Sequence, residues 1–152
     1  MNTVLKKKED FSPHKRSRAR RLAAQALYQW QLTEQEITEI DRQFCESRDM
    51  QGADLEYFHE LLKEVTDNIN ALDGLLRPVL DRKLEELDPV EQAILRISVY
   101  ELSYRGDVPC RVIINEAVAL TKKFGAEQSY TYVNGVLDRI ARSLRAKEFT
   151  GS

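Results

Sequence analysis

The sequence has 152 residues, about one domain's length and enough to bury a core without disulfides or metal. Hydrophobic residues make up 42% and charged residues 32%, which excludes a disordered chain, and no uncharged stretch is long or apolar enough for a membrane span. The net charge of -2 conceals an asymmetry: residues 1–21 sum to +6 and residues 22–152 to -8, so a basic N-terminal arm precedes an acidic body.

Nearly everything after residue 12 has helical periodicity. Ser12-Pro13 is a start signal, with Ser as cap and Pro at the first helical position. Residues 1–12 read as a basic, disordered extension, and 13–147 as one helical domain. From Ala19, an apolar stripe runs through Leu22, Ala23, Ala26, Leu27 and Trp30, so Arg16, Arg18, Arg20 and Arg21 fall in the first turns of a rigid helix. Thr33-Glu34-Gln35-Glu36 matches a capping box before a short helix bearing Ile37, Ile40 and Phe44.

The pattern breaks around Gly52. Asp54 is a cap for the clearest amphipathic helix, Leu55 through Leu72. Gly74 and Pro78 interrupt, and Leu80, Leu84 and Leu87 suggest a further short helix. Asp88-Pro89 starts the next one. Val112-Ile113-Ile114 has strand propensity, but the residues after it restore helical spacing. Gly125 reads as a C-terminal cap, and Gly135 as a close helix–helix contact inside the last helix. Residues from Lys147, and the tail 148–152 in particular, read as frayed. The expectation is an all-α, compact bundle of about seven helices in two packed sub-bundles.

Catalytic signatures are missing. The six glycines are each at least ten residues apart, so no phosphate-cradling loop exists, and neither GxSxG nor HExxH occurs. Cys45 and Cys110 are 65 positions apart, while His14 and His59 stand alone. The expectation is two free thiols, no metal and no cofactor. Glu85 and Glu86 are adjacent, hence about 100° apart on a helix, and cannot flank one substrate bond. The chain reads as a non-enzyme. No apolar segment follows the charged N-terminus as in a secretory signal, so the expected compartment is the cytoplasm.

Several segments carry a likeness: Arg18-Ala19-Arg20 followed by 24–32 (AQALYQWQL), Tyr57-Phe58, 84–87 (LEEL), 93–96 (AILR), Tyr100-Glu101-Leu102, Asp107-Val108-Pro109, 114–117 (INEA), and 123–126 (KFGA) through 132–138 (YVNGVLD). In this order they resemble the NusB family of bacterial transcription antitermination factors, over roughly residues 14–145. The resemblance implies an RNA-binding factor without enzymatic chemistry. It would bind the single-stranded boxA element of ribosomal RNA operons together with NusE, a ribosomal small-subunit protein. The antitermination complex with RNA polymerase is the implied setting, and the free protein is expected as a monomer or weak homodimer. The same fold occurs as the RNA-positioning part of ribosomal RNA methyltransferases. An interaction domain associated with such a modification enzyme is therefore the second reading. The first ten residues extend beyond the family's usual start, Ser17 interrupts its arginine run, and Tyr132 stands where Phe is common.

The predicted RNA-binding residues are Arg16, Arg18, Arg20, Tyr28, Gln128, Ser129 and Tyr132. Guanidinium groups can hold phosphates bidentately, and tyrosine rings can stack on unpaired bases. Gln128 and Ser129 precede a helix whose first N–H groups could receive a phosphate. Glu85 and Glu91, beside Asp88-Pro89, are the predicted contacts for the basic protein partner.

Overall fold

The structure, a computed structural model, describes residues 12–124 and 128–150. The basic segment over 1–11, Gly125 with its predicted capping role, and Gly151 and Ser152 lie outside the described residues. Those described are helical, with no strand among them: α1 Pro13–Leu32, α2 Ile37–Cys45, α3 Leu55–Asp67, α4 Ile69–Leu76, α5 Pro89–Tyr104, α6 Cys110–Phe124, α7 Ser129–Leu144 and α8 Ala146–Thr150. Short 3-10 turns occupy Arg48–Met50, Arg77–Val79 and Leu84–Glu86. The chain divides into two compact units, residues 1–66 and 67–152.

In the first unit the alanine-rich stripe of α1 (Ala19, Leu22, Ala23, Ala26, Leu27) is buried, as are Ile40 of α2 and Phe58, Leu61, Leu62 and Val65 of α3. Small residues on α1 let a neighbour approach closely, and the larger side chains of α3 supply most of the apolar volume. Phe44 and Phe58 stack with centroids 5.9 Å apart, joining α2 to α3. Gly52 has φ +80 and completes a turn closed by the Ala53 N–H to the Met50 carbonyl at 3.1 Å. With Gln51 at φ -62, ψ 133, this is a type II turn, which requires a positive φ at its third residue.

In the second unit α6 and α7 pack together and both pack on α5, with α4 against α5. Ile94, Leu95, Ile113, Val133 and Leu137 are core residues there. Arg96 of α5 grips Asp73 of α4 through two 2.9 Å hydrogen bonds, both side chains largely buried. Arg145 donates to the carbonyls of Glu101, Leu102, Arg105 and Val108, and Glu148 accepts from the Cys110 N–H at 3.0 Å. One arginine thereby satisfies the carbonyl end of α5 while a glutamate caps the start of α6. These bonds explain why residues 146–150 form a helix where the sequence suggested fraying.

Other local expectations change: Ser12 holds the cap position of α1 without a side-chain bond, and the short helix expected from Leu80 to Leu87 is only the 3-10 turn Leu84–Glu86. Thr33 forms no capping box: its hydroxyl donates to the Gln29 carbonyl at 2.8 Å, and Glu36 takes the cap position of α2 without a side-chain bond. The single helix expected over 55–72 is two, α3 and α4, parting at Asn68 (φ -112, ψ 21). Thr66 turns its hydroxyl back to the Leu62 carbonyl, and Asp67-Asn68 favours a terminus over a helix interior. Gly135 makes no close helix–helix contact, since a Cβ built there meets nothing within 4 Å. The caps at Asp54 and Asp88 form as expected, accepting from Tyr57 N–H at 3.0 Å and Val90 N–H at 2.9 Å. Val112-Ile113-Ile114 lies inside α6.

Gly74 lies within α4 with open space around its Cβ position. Gly74→Ala is expected to raise unfolding stability by about 0.5–1 kcal/mol, because alanine loses less backbone entropy in a helix. Urea denaturation followed by far-UV circular dichroism checks it.

Candidate nucleic-acid interface

The first unit presents the basic helix. From Pro13 to Leu32, α1 holds five cations (Lys15, Arg16, Arg18, Arg20, Arg21) and no carboxylate. Their spacing splits them between two faces. Arg16 and Arg20, four apart, turn inward over the buried Tyr57 ring, with guanidinium carbons 4.3 and 5.5 Å from its centroid. Arg16 also lies 3.5 Å from Asp54, and Arg20 is only 4% exposed. Ring face and carboxylate attract these cations, so two of the three predicted arginines brace α1 on α3.

Arg18 takes the other face. It is half-exposed, and its Nε–H donates to the Asp49 carbonyl at 3.1 Å. The Gly52 turn lies beside its stem, where an added Cβ would stand 3.8 Å from Arg18 Cδ. Arg21, half-exposed, and Tyr28, 39% exposed, follow Arg18 at steps of three and seven, with Gln25 between them. His14, Arg18, Arg21, Gln25 and Tyr28 therefore form one solvent-facing stripe opposite the alanine stripe. Arg21, which the site prediction did not include, lies on this stripe. Helical phase was the available signal: Arg21 is in register with Arg18 and Tyr28, whereas Arg16 and Arg20 are in register with the buried side.

The second unit carries the other predicted residues. Gln128 is exposed and stands at the cap position of α7 without a side-chain cap bond, followed by half-buried Ser129. Lys122, Gln128, Tyr130 and Thr131 line an open depression of about 580 Å³, with Lys122 Nζ 4.4 Å from the centre of the Tyr130 ring. Tyr130 was not singled out from the sequence; a second aromatic two positions before Tyr132 was its only trace. Tyr132 lines a groove of about 280 Å³ with Val79, Asp81, Thr131, Gly135 and Arg139. Its hydroxyl accepts from the Asp81 N–H at 3.2 Å, and the Arg82 guanidinium carbon lies 4.6 Å from the ring centre. Burial raises the Tyr132 phenol pKa, so the group stays neutral. Gly135 lines this groove with open space around its Cβ position.

Of the predicted protein-partner contacts, Glu85 is held by Arg77 through hydrogen bonds of 3.0 and 2.7 Å. That bidentate contact draws its pKa down to about 2. Glu91 is half-buried in the first turn of α5. No helix of the described residues is long and apolar enough to cross a membrane.

A family model described as NusB family matches residues 17–142. The transcription antitermination protein NusB of Serratia proteamaculans is 52% identical over 138 residues, spanning 91% of this chain and 100% of that protein. The protein of the same description from Alcanivorax borkumensis is 52% identical over 137 residues, covering 90% of this chain and 91% of its own length. Among solved structures, NusB of T. maritima superposes with a TM-score of 0.76 at 27% identity, over 88% of this chain and 95% of that one. A crystal structure of antitermination factors NusB and NusE in complex with dsRNA contains a chain that matches with a TM-score of 0.75 at 29% identity, over 84% and 96%.

Proposed function

This chain belongs to the NusB family, and from that premise we propose that it is a transcription antitermination factor. It binds the single-stranded boxA element of ribosomal RNA operons jointly with a basic small-subunit ribosomal protein, the NusE role, within the antitermination complex of RNA polymerase. The observation that carries this reading is the match, at 52% identity, to the full length of a protein described as a transcription antitermination protein.

The geometry supports it with two surfaces, one on each unit. On α1 the outward stripe offers Arg18 and Arg21 to phosphates and Tyr28 to a base. On α7 Gln128 and Ser129 present helical N–H groups, and Tyr132 offers a ring beside an open groove. Arg16 and Arg20 serve the RNA indirectly, by fixing the phase of α1 against Tyr57. Glu91 and Glu85 lie on the acidic side proposed for the ribosomal partner, Glu85 with its charge shared by Arg77. The role is that of a cytoplasmic scaffold performing no chemistry.

Fluorescence anisotropy of a labelled boxA oligonucleotide, with and without the small-subunit protein, tests this. Weak binding alone and tighter binding with the partner are expected, because linked surfaces share the cost of ordering the strand. Failure of the oligonucleotide to bind under both conditions would overturn the proposal. Preference for a duplex of the same sequence would overturn its single-stranded part.

A further inference from the structure

We propose that the first unit holds a binding site for a borderline divalent cation of the zinc class, with Cys45 and His59 as ligands and Asp41 orienting them. The sequence showed His59 standing alone and Cys45 far from the other cysteine; the fold brings Cys45 and His59 together. Asp41 and Cys45 are four apart on α2 and share its face toward α3, where His59 projects. One donor atom from each of the three lies within 4.8 Å of the others.

Asp41 Oδ2 stands 2.6 Å from His59 Nδ1, and Cys45 Sγ stands 3.9 Å from His59 Nε2. A carboxylate on Nδ1 fixes the proton there and leaves Nε2 as the unprotonated donor nitrogen, the arrangement that orients histidine ligands in metal sites. With metal–sulfur and metal–nitrogen bonds of about 2.3 and 2.1 Å, an ion bridging these two atoms makes an S–metal–N angle of about 125°, open but close to tetrahedral. Asp41 Oδ1 accepts from the Cys45 thiol at 3.2 Å while Oδ2 holds Nδ1, so Asp41 anchors both ligand side chains and does not itself reach an ion on Nε2.

A donor pair of one sulfur and one imidazole, oriented by a carboxylate, suits zinc, cobalt or nickel and is unsuited to magnesium or calcium. The His59 side chain is 45% exposed, so an ion has an entry path and water can complete its coordination. Without an ion the thiol stays protonated, because burial and Asp41 push it up to about 11. Binding therefore exchanges the thiol proton, released to solvent, for the metal–sulfur bond. A bound ion would clamp α2 to α3.

The test is titration of the reduced, full-length protein with Co²⁺, followed by displacement with Zn²⁺. The expected result is a near-ultraviolet thiolate-to-cobalt band that saturates at one equivalent with micromolar or tighter affinity and is removed by Zn²⁺. Cys45→Ser should abolish the band. His59→Gln should weaken binding at least about tenfold, and Asp41→Asn about 10–100-fold. Cys110→Ser and His14→Gln should change nothing. If Cys45→Ser does not fold, His59→Gln, at an exposed position, carries the test. Absence of the band, millimolar affinity, or a band lost in Cys110→Ser instead of Cys45→Ser would each overturn the proposal.

Discussion

Replacing Arg145 by alanine is expected to cost about 3–5 kcal/mol of unfolding stability, more than any exposed charge in the molecule. The side chain is 8% exposed and donates to four backbone carbonyls and the Glu148 carboxylate. Three of those carbonyls (Glu101, Leu102, Arg105) lie at the end of α5, where Glu101 also accepts from the Arg105 N–H and Arg105 from the Val108 N–H. Alanine leaves them without this donor and frees Glu148, which caps the Cys110 N–H of α6. Arg145→Lys should recover only part of the loss, because one ammonium cannot span the fork geometry of a guanidinium. At about 2–4 °C per kcal/mol for a chain of this size, the alanine variant should melt about 6–20 °C lower in calorimetry. Arg142→Ala is the contrast: its pair with Asp138 is exposed on both sides, and its loss should stay within about 0.5 kcal/mol. Equal effects from the two variants would show that the carbonyl clamp contributes nothing.

Arg145 also marks where sequence reading stops. Apolar periodicity located α1, α5, α6 and α7 because each buries a stripe that repeats at helical spacing. The caps at Asp54 and Asp88 were visible because the capping carboxylate is adjacent in sequence to the N–H groups that it satisfies. Arg145 acts on carbonyls about 40 residues away, and no local pattern encodes such a partner. The same holds for Cys45 and His59, separated by 14 positions and joined only by the packing of α2 on α3. The break at Asn68 was hidden because the apolar residues keep helical register across it, while the hydroxyl of Thr66 and the short polar pair after it decide the ending. At the candidate RNA surface, composition announced a basic helix but not which arginines face water. That depends on helical phase relative to the buried stripe and on Tyr57, a partner on another helix.

Arg18→Ala/Arg21→Ala is the variant expected to impair RNA binding most. Two lost charge-assisted contacts at about 1.5 kcal/mol each would weaken boxA binding roughly 100-fold at moderate salt. Each phosphate contact on a single strand contributes about 0.7 to the slope of log affinity against log salt, so the slope should become shallower by about 1.4. Tyr28→Ala should cost about 1–3 kcal/mol with the slope unchanged, because stacking releases no counterions. Arg20→Ala supplies the discriminating comparison. Its guanidinium faces Tyr57 and is nearly buried, so the variant should lower the melting temperature while leaving the salt slope of the folded protein intact. If Arg20→Ala instead reduced the slope by about 0.7 and the Arg18/Arg21 pair left it unchanged, the strand would have to lie on the inward face of α1. Arg16 and Arg20 would then have to leave Tyr57 to meet it, and the outward stripe would have no role in RNA recognition.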